Sequence, residues 1–174
     1  ETHLWRAAGE RVGLIYVQQG AWVKTNPKPQ MNGLGPASGA EAIVIFHSST
    51  LSMRWNGGGK AAIWHHPVCR GEDRIHTTQK PTSLMRDLIE DFTDPGESIA
   101  DIFAGSATTL VVAQGLGRNA VGWELDPDNH AKAIQRMRSP LFEQRATPEQ
   151  ADFFGAPLPK SATKRALMDL DRMI

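Results

Sequence analysis

Apolar positions change their period several times along the chain, and each change predicts an element. In TSLMRDLIEDF, Thr82–Phe92, residues Leu84, Met85, Leu88, Ile89 and Phe92 recur at helical spacing, which predicts an amphipathic helix. Residues 41–48, EAIVIFHS, form an apolar, β-branched run and predict a strand buried on both faces. Residues 11–24 read as extended with a break near Gly20, and residues 2–10 as the end of a helix stopped by Gly9. Residues 98–124 read as strand, glycine turn, helix and strand. A last helix is predicted over 127–137, capped by Asp126 with Pro127 at its first position. Between these elements, 25–39 is a loop rich in Pro, Gly and Asn, 52–81 is irregular, and 93–97 is a turn. Beyond Ser139 the chain turns polar, and 160–174 is a short terminal helix candidate.

With 174 residues the chain is long enough for one domain with its own core. Its formal net charge of zero gives no bulk attraction for a polyanion, which leaves local basic patches to be considered. Cys69 is the only cysteine. It excludes an internal disulfide and fits a reducing compartment such as a cytoplasm. No apolar run reaches membrane-spanning length and nothing reads as a signal peptide. The first residue is Glu1 rather than Met, so these residues are expected to belong to a longer product.

The segment 98–124 carries the first candidate chemistry. Strand, turn, helix and strand make half of a Rossmann-like unit. Gly105, Ser106 and Ala107 are small enough to let a ligand approach the backbone, and the following helix offers free N–H groups, with Thr108 and Thr109 as candidate caps. Glu124 lies 19 positions after Gly105, a spacing at which a carboxylate accepts hydrogen bonds from ribose hydroxyls. The dinucleotide pattern G-x-G-x-x-G is missing. One glycine suits a ligand without a pyrophosphate, such as a nucleoside carrying an amino acid. A plain structural βαβ unit with a small-residue turn would read the same way.

DIFAGSATT (101–109) followed by GWELDP (122–127) resembles the cofactor motifs of S-adenosylmethionine-dependent DNA methyltransferases that modify exocyclic amines. Their usual pattern is D-P-F-x-G-S-G-T-T and then G-x-E-x-D-P. HTTQKP (76–81) resembles the H-P-T-Q-K-P that precedes the helix before the cofactor strand. GAWVKTNPKPQ, AEAIVIFH and RWNGGGKAAIWHHPVCRG resemble the middle region of phage and prophage members. The order matches the circularly permuted class, and the resemblance covers about residues 5–138.

The resemblance implies an α/β, Rossmann-like methyltransferase fold: a mostly parallel sheet with helices on both faces, incomplete at the N-terminus. Residues 1–138 would form the methyltransferase domain, with 1–75 the rest of the catalytic half and the target-recognition region, and 76–138 the cofactor-binding half. Residues 139–174 would be a tail. The implied activity is methyl transfer from S-adenosylmethionine to adenine or cytosine in double-stranded DNA. Asp101, Phe103, Gly105, Ser106 and Thr108 would hold the methionine part of the cofactor and Glu124 its ribose. His76, Thr78, Gln79 and Lys80 would line the opposite wall near the cofactor's carboxylate, where a cation makes charge sense. TQKP also reads as a plain helix entry, with Thr82 capping after Pro81, and the two readings are compatible. A small-molecule methyltransferase fits less well, because of HTTQKP and the permuted order.

The sequence departs from the pattern at Ile102, Thr77 and Ala107, where the family carries Pro, Pro and Gly. If position 107 needs a positive φ, alanine there costs on the order of 1 kcal/mol; as the first residue of a helix it is harmless. The family's D/S-P-P-aromatic tetrapeptide, which holds and stacks on the flipped base, is not found. Only NPKP (26–29) and HHPV (65–68) come near it. The residues given are therefore expected not to methylate DNA unaided. Either the tetrapeptide lies on a preceding segment, or the protein is a repurposed scaffold that binds DNA or a partner without catalysis.

Three further patterns stand apart. His65, His66, Cys69 and His76 match no zinc spacing, so no metal is expected. WNGGGK (55–60) lacks a P-loop frame and reads as a turn. Arg54, Lys60 and Arg70 in this irregular stretch are candidate phosphate contacts on DNA, or else solvated loop charges. In the tail, Gln150, Phe153 and Phe154 resemble the short peptide by which bacterial DNA enzymes dock on the sliding clamp. Folding of both rings back onto their own domain is the plainer alternative.

Overall fold

The computed structural model describes residues 2–70 and 79–138. His76 and Thr78, the clamp-like residues Gln150, Phe153 and Phe154, and the helix candidate over 160–174 lie outside the described residues. The chain divides into two compact units, one ending at Thr93 and one beginning at Asp94. Among the described residues no helix is long and apolar enough to cross a membrane.

The first unit contains α1 (Thr2–Arg11), β1 (Leu14–Lys24), β2 (Ala40–Ser48), β3 (Ile63–His66) and α2 (Thr82–Phe92). Its sheet runs β2-β1-β3, with β2 antiparallel and β3 parallel to β1. Trp22 and Trp64 are register partners on neighbouring strands and form the core with Ile45 and Leu84. Each buried indole needs a partner for its N–H. Trp22 Nε1 donates to the His66 carbonyl at 2.9 Å and Trp64 Nε1 to Asp91 Oδ2 at 2.8 Å. Helix α2 has the predicted bounds, and it buries Leu84 and Ile89 with Leu88 and Phe92 packed beside them. Its N-cap is Pro81, so Thr82 is already helical and does not cap.

Both glycines read as breaks have another purpose. Helix α1 runs through Gly9 to Arg11, and the left-handed residue after it is Gly13, φ +82°. Gly9 is buried because a Cβ there would stand 2.5 Å from the Phe46 ring. Strand β1 passes Gly20 unbroken, where a Cβ would stand 2.6 Å from the Ala62 carbonyl. The real irregularity is a register shift between Tyr16 and Gln18. Strand β2 has α1 against the Phe46 side and the tryptophan core against the other, but as the edge strand it fully buries only Ile45. The irregular stretch also contains β3, four residues long and too short to show a period.

The second unit contains β4 (Ser98–Asp101), α3 (Thr108–Gly115), β5 (Asn119–Gly122) and α4 (Pro127–Arg138), with β4 and β5 parallel. Helix α3 is buried nearly all round through Thr108 and Leu110, Val111, Val112 and Ala113. It lies close to β5 because position 122 is glycine: a Cβ there would stand 2.8 Å from Leu110. Among the described residues two of the three strand pairings are parallel, and the longest, β1 with β2, is antiparallel.

Candidate functional site

The chain turns sharply where β4 ends. Asp101 accepts the Phe103 N–H at 3.0 Å and so folds its carboxylate over the start of the turn. Phe103 is 81% exposed. Gly105 has φ +53°, and a Cβ on it would meet nothing within 4 Å except the Phe103 carbonyl at 3.8 Å. That face of the turn is therefore open. Beyond the strand ends the ladder continues, with Trp123 N–H to the Asp101 carbonyl at 2.9 Å and Ala104 N–H to the Trp123 carbonyl at 2.9 Å.

Glu124 lies two residues past the end of β5 rather than at its last position. Its Oε2 accepts the Gly105 N–H at 2.8 Å and its Oε1 accepts the Asp126 N–H at 2.9 Å. One carboxylate thus ties together the turns that follow the two strands. An ionised carboxylate offers about four lone-pair sites, so two backbone donors leave acceptor capacity for a ligand's hydroxyls. Asp126 Oδ1 in turn accepts the Asn129 N–H at 2.8 Å, which is the predicted cap of α4. Exposed apolar side chains flank the strand ends: Ile102 and Phe103 after β4, Trp123 and Leu125 after β5. A carboxylate with spare lone pairs beside an exposed aromatic surface suits a nucleoside, which is polar at its sugar and flat at its base.

Ala107 settles the question of the missing glycine. Its φ is 58° and ψ 28°, left-handed, and it is the N-cap of α3. No side chain caps this helix, so Thr108 and Thr109 do not have that role. The conformation costs alanine about 1 kcal/mol relative to glycine. The methyl group is 1% exposed and packs with Leu110 and Ala133. Ser106 and Thr108 are buried too. Their hydroxyls lie 3.2 Å apart, and Arg136 of α4 reaches both: its Nη1 is 3.0 Å from Thr108 Oγ1, 3.4 Å from Ser106 Oγ and 2.8 Å from the Ser106 carbonyl. Arg136 is the residue that sequence reasoning missed. An arginine on the polar side of a helix gives no local signal of such a role.

The second unit therefore gathers Asp101, Phe103, Gly105, Ser106, Thr108 and Glu124 on one turn and its neighbour. In the first unit Gln79 is half-buried ahead of α2. Lys80 Nζ donates to Glu41 Oε2 at 3.0 Å and Lys24 Nζ lies 3.1 Å from Glu41 Oε1, both ammonium groups standing over the Trp22 ring. Partial burial pulls the Glu41 carboxyl upward, but hydrogen bonds from Lys80 and Lys24 outweigh it and hold the group below the ordinary glutamate value.

The candidate phosphate contacts have partners inside the first unit. Lys60 is held by Asp91 at 2.7 Å, with Asp87 at 3.9 Å, and stands over Trp64. Arg70 donates to the carbonyls of Asn26 and Pro27. Arg54 is exposed. WNGGGK is the expected turn, closed by Trp55 Nε1 to the Gly58 carbonyl at 2.7 Å and Lys60 N–H to the Gly57 carbonyl at 3.1 Å. The two near-matches to the tetrapeptide are used as fasteners. Asn26 Oδ1 accepts the Val68 N–H at 2.6 Å, and His66 Nε2 lies 3.0 Å from Asp87.

A family model described as DNA methylase, of the N6/N4 class, matches residues 2–135. The Type II methyltransferase M.HinfI of Haemophilus influenzae is 30% identical over 135 residues, which are 67% of this chain and 38% of that protein. The chain thus spans less than half of that relative's length. Among solved structures, the M1.HpyAVI–SAM complex matches with a TM-score of 0.68 at 24% identity, over 77% of this chain and 68% of that one. The cytosine-N4-specific PvuII DNA methyltransferase matches with a TM-score of 0.65 at 17% identity, over 87% and 60%. The α/β, Rossmann-like methyltransferase fold is therefore shared with these structures.

Proposed function

The chain belongs to the N6/N4 DNA methylase family, and we propose that its second unit holds S-adenosylmethionine at the turn between β4 and α3. The observation that carries this reading is Glu124. Its carboxylate is positioned by the N–H groups of Gly105 and Asp126, beside a glycine face that nothing fills. In this reading Glu124 takes the ribose hydroxyls, and the open side of Gly105 admits the cofactor's amino-acid arm. Phe103 supplies apolar cover, and Asp101 shapes the turn by fixing the Phe103 N–H. Gln79 and Lys80 belong to the first unit, and a cofactor contact for them rests on the sequence resemblance alone. Ser106 and Thr108 support the turn through Arg136 as well as any contact to the cofactor.

The bound cofactor would supply an electrophilic methyl group for the exocyclic amine of adenine or cytosine in double-stranded DNA. This chain's residues bind and orient it. Its residues include no D/S-P-P-aromatic tetrapeptide, so no residue here is assigned to the base amine. Ala107 takes a left-handed conformation that glycine adopts without strain, which favours a working cofactor pocket over a decayed one.

Calorimetric titration with S-adenosylmethionine tests the reading. The parent chain is expected to bind, and Glu124→Ala to bind at least about 10-fold more weakly, the size of one hydrogen bond to a charged group. A folded parent chain that does not bind would overturn it.

A further inference from the structure

Ala107 adopts a backbone conformation that glycine reaches without strain, and yet the turn is built around it. The groups on either side explain how. Ser106 precedes the left-handed residue, and its carbonyl points to Arg136 Nη1 at 2.8 Å. Thr108 follows it, and its hydroxyl lies 3.0 Å from the same nitrogen. One guanidinium nitrogen therefore holds the chain immediately before and immediately after Ala107. Arg136 does not act from a loose tether. Ala133, three positions earlier on α4 and on the same helical face, is buried against Ala107 and Leu110. The alanine methyl gives α4 a surface to dock on, which a glycine would not provide.

We infer that Arg136 is a positioning residue that presets the cofactor turn, replacing conformational freedom at position 107 with a charge-assisted clamp from α4. Glycine would let the turn reach its left-handed form and leave it just as easily. Alanine with Arg136 makes the form the resident one, because the guanidinium is always charged and its hydrogen-bond donors are rigidly arranged. The turn is then shaped before any ligand arrives, and binding loses less to ordering it. The role touches backbone and hydroxyl groups behind the turn, so it differs from contact with the cofactor. It rests on the cofactor reading for its ligand but not for its effect on the turn.

The test is a double-mutant cycle on the full chain, using Arg136→Met, Ala107→Gly and both together. Two quantities are read: S-adenosylmethionine affinity by calorimetry and amide hydrogen exchange in the ligand-free protein. Arg136→Met should weaken binding by about 10-fold, as expected for loss of one charged hydrogen bond. It should also speed exchange at Gly105 and Ala107 while leaving Val112 and Ala113 in the core of α3 protected. Arg136→Lys should recover part of both, since one ammonium can reach one acceptor but not brace two. In the Arg136→Met background Ala107→Gly should restore affinity several-fold, and in the parent it should change little, so the two effects are strongly non-additive. Additive effects, or unchanged exchange at Gly105 and Ala107 in Arg136→Met, would overturn the clamp. If the folded parent binds no S-adenosylmethionine, the cofactor reading fails, and the exchange measurement alone decides the clamp.

Discussion

The two units use their carboxylates in opposite ways. In the first, Asp91 is buried and shared between Lys60 and the Trp64 indole, and Glu41 is shared between Lys24 and Lys80. In the second, Asp101 and Glu124 are held by backbone N–H groups, and neither forms an ion pair among the described residues. A carboxylate whose charge is already answered by a cation has little left to offer a ligand. One positioned by neutral amides keeps its charge and part of its acceptor capacity, in a fixed direction. The contrast supports the cofactor site proposed for the second unit. It also separates two kinds of mutational consequence, lost stability and lost binding.

The largest stability effect is expected at Asp91. Asp91→Ala leaves the buried Trp64 indole N–H without its partner and Lys60 without its nearest counter-charge. Breaking a buried pair from one side commonly costs 3–5 kcal/mol. Lys60 is about a third exposed, so the lower end, about 3 kcal/mol, is the expected loss by urea denaturation. A loss under about 1 kcal/mol would mean that the network is ornamental and the contrast between the units is false.

Glu124→Gln should show the reverse. The amide keeps an acceptor for one backbone donor and loses one, so the stability change is expected to stay near 1 kcal/mol or below. S-adenosylmethionine affinity should nonetheless fall by about 10-fold, since a neutral amide accepts more weakly from hydroxyls than a carboxylate does. Calorimetry and urea denaturation on the same preparation check both halves. A variant that lost stability as Asp91→Ala does, with unchanged binding, would place Glu124 among the structural carboxylates.

How much of this was legible in the sequence depended on how local the physics is. Helix α2 was readable to its bounds because five apolar side chains share one stripe within eleven residues. The spacing of Gly105 and Glu124 was readable because the strand, turn and helix between them are continuous in sequence, but the hydrogen bond that joins them was not. The glycines were misread where their reason lies far along the chain. Gly9 makes room for Phe46 and Gly20 for Ala62, and neither neighbour is visible from the local pattern. The same holds for Arg136 and for β3, whose four residues pair with β1 some forty positions away. Lys60 and Arg70 read as candidate phosphate contacts or solvated loop charges, because Asp91 and the Asn26 carbonyl that meet them lie far away in sequence.

The smallest expected effect is at Glu41, and its direction follows from the pairing. Lys80 and Lys24 hold the folded-state carboxyl below its unfolded value. Such a group contributes stability above the unfolded value near 4.5, and that contribution disappears as pH falls through the lower folded value. Glu41 is only partly buried and its partners reach solvent, so screening keeps the contribution small. Urea midpoints of the parent and of Glu41→Gln should therefore differ most at pH 7 and draw together once the pH is well below 4.5, with added salt reducing the gap at pH 7. A gap that widened in acid would mean the folded carboxyl is raised rather than lowered, as burial without effective pairing would make it.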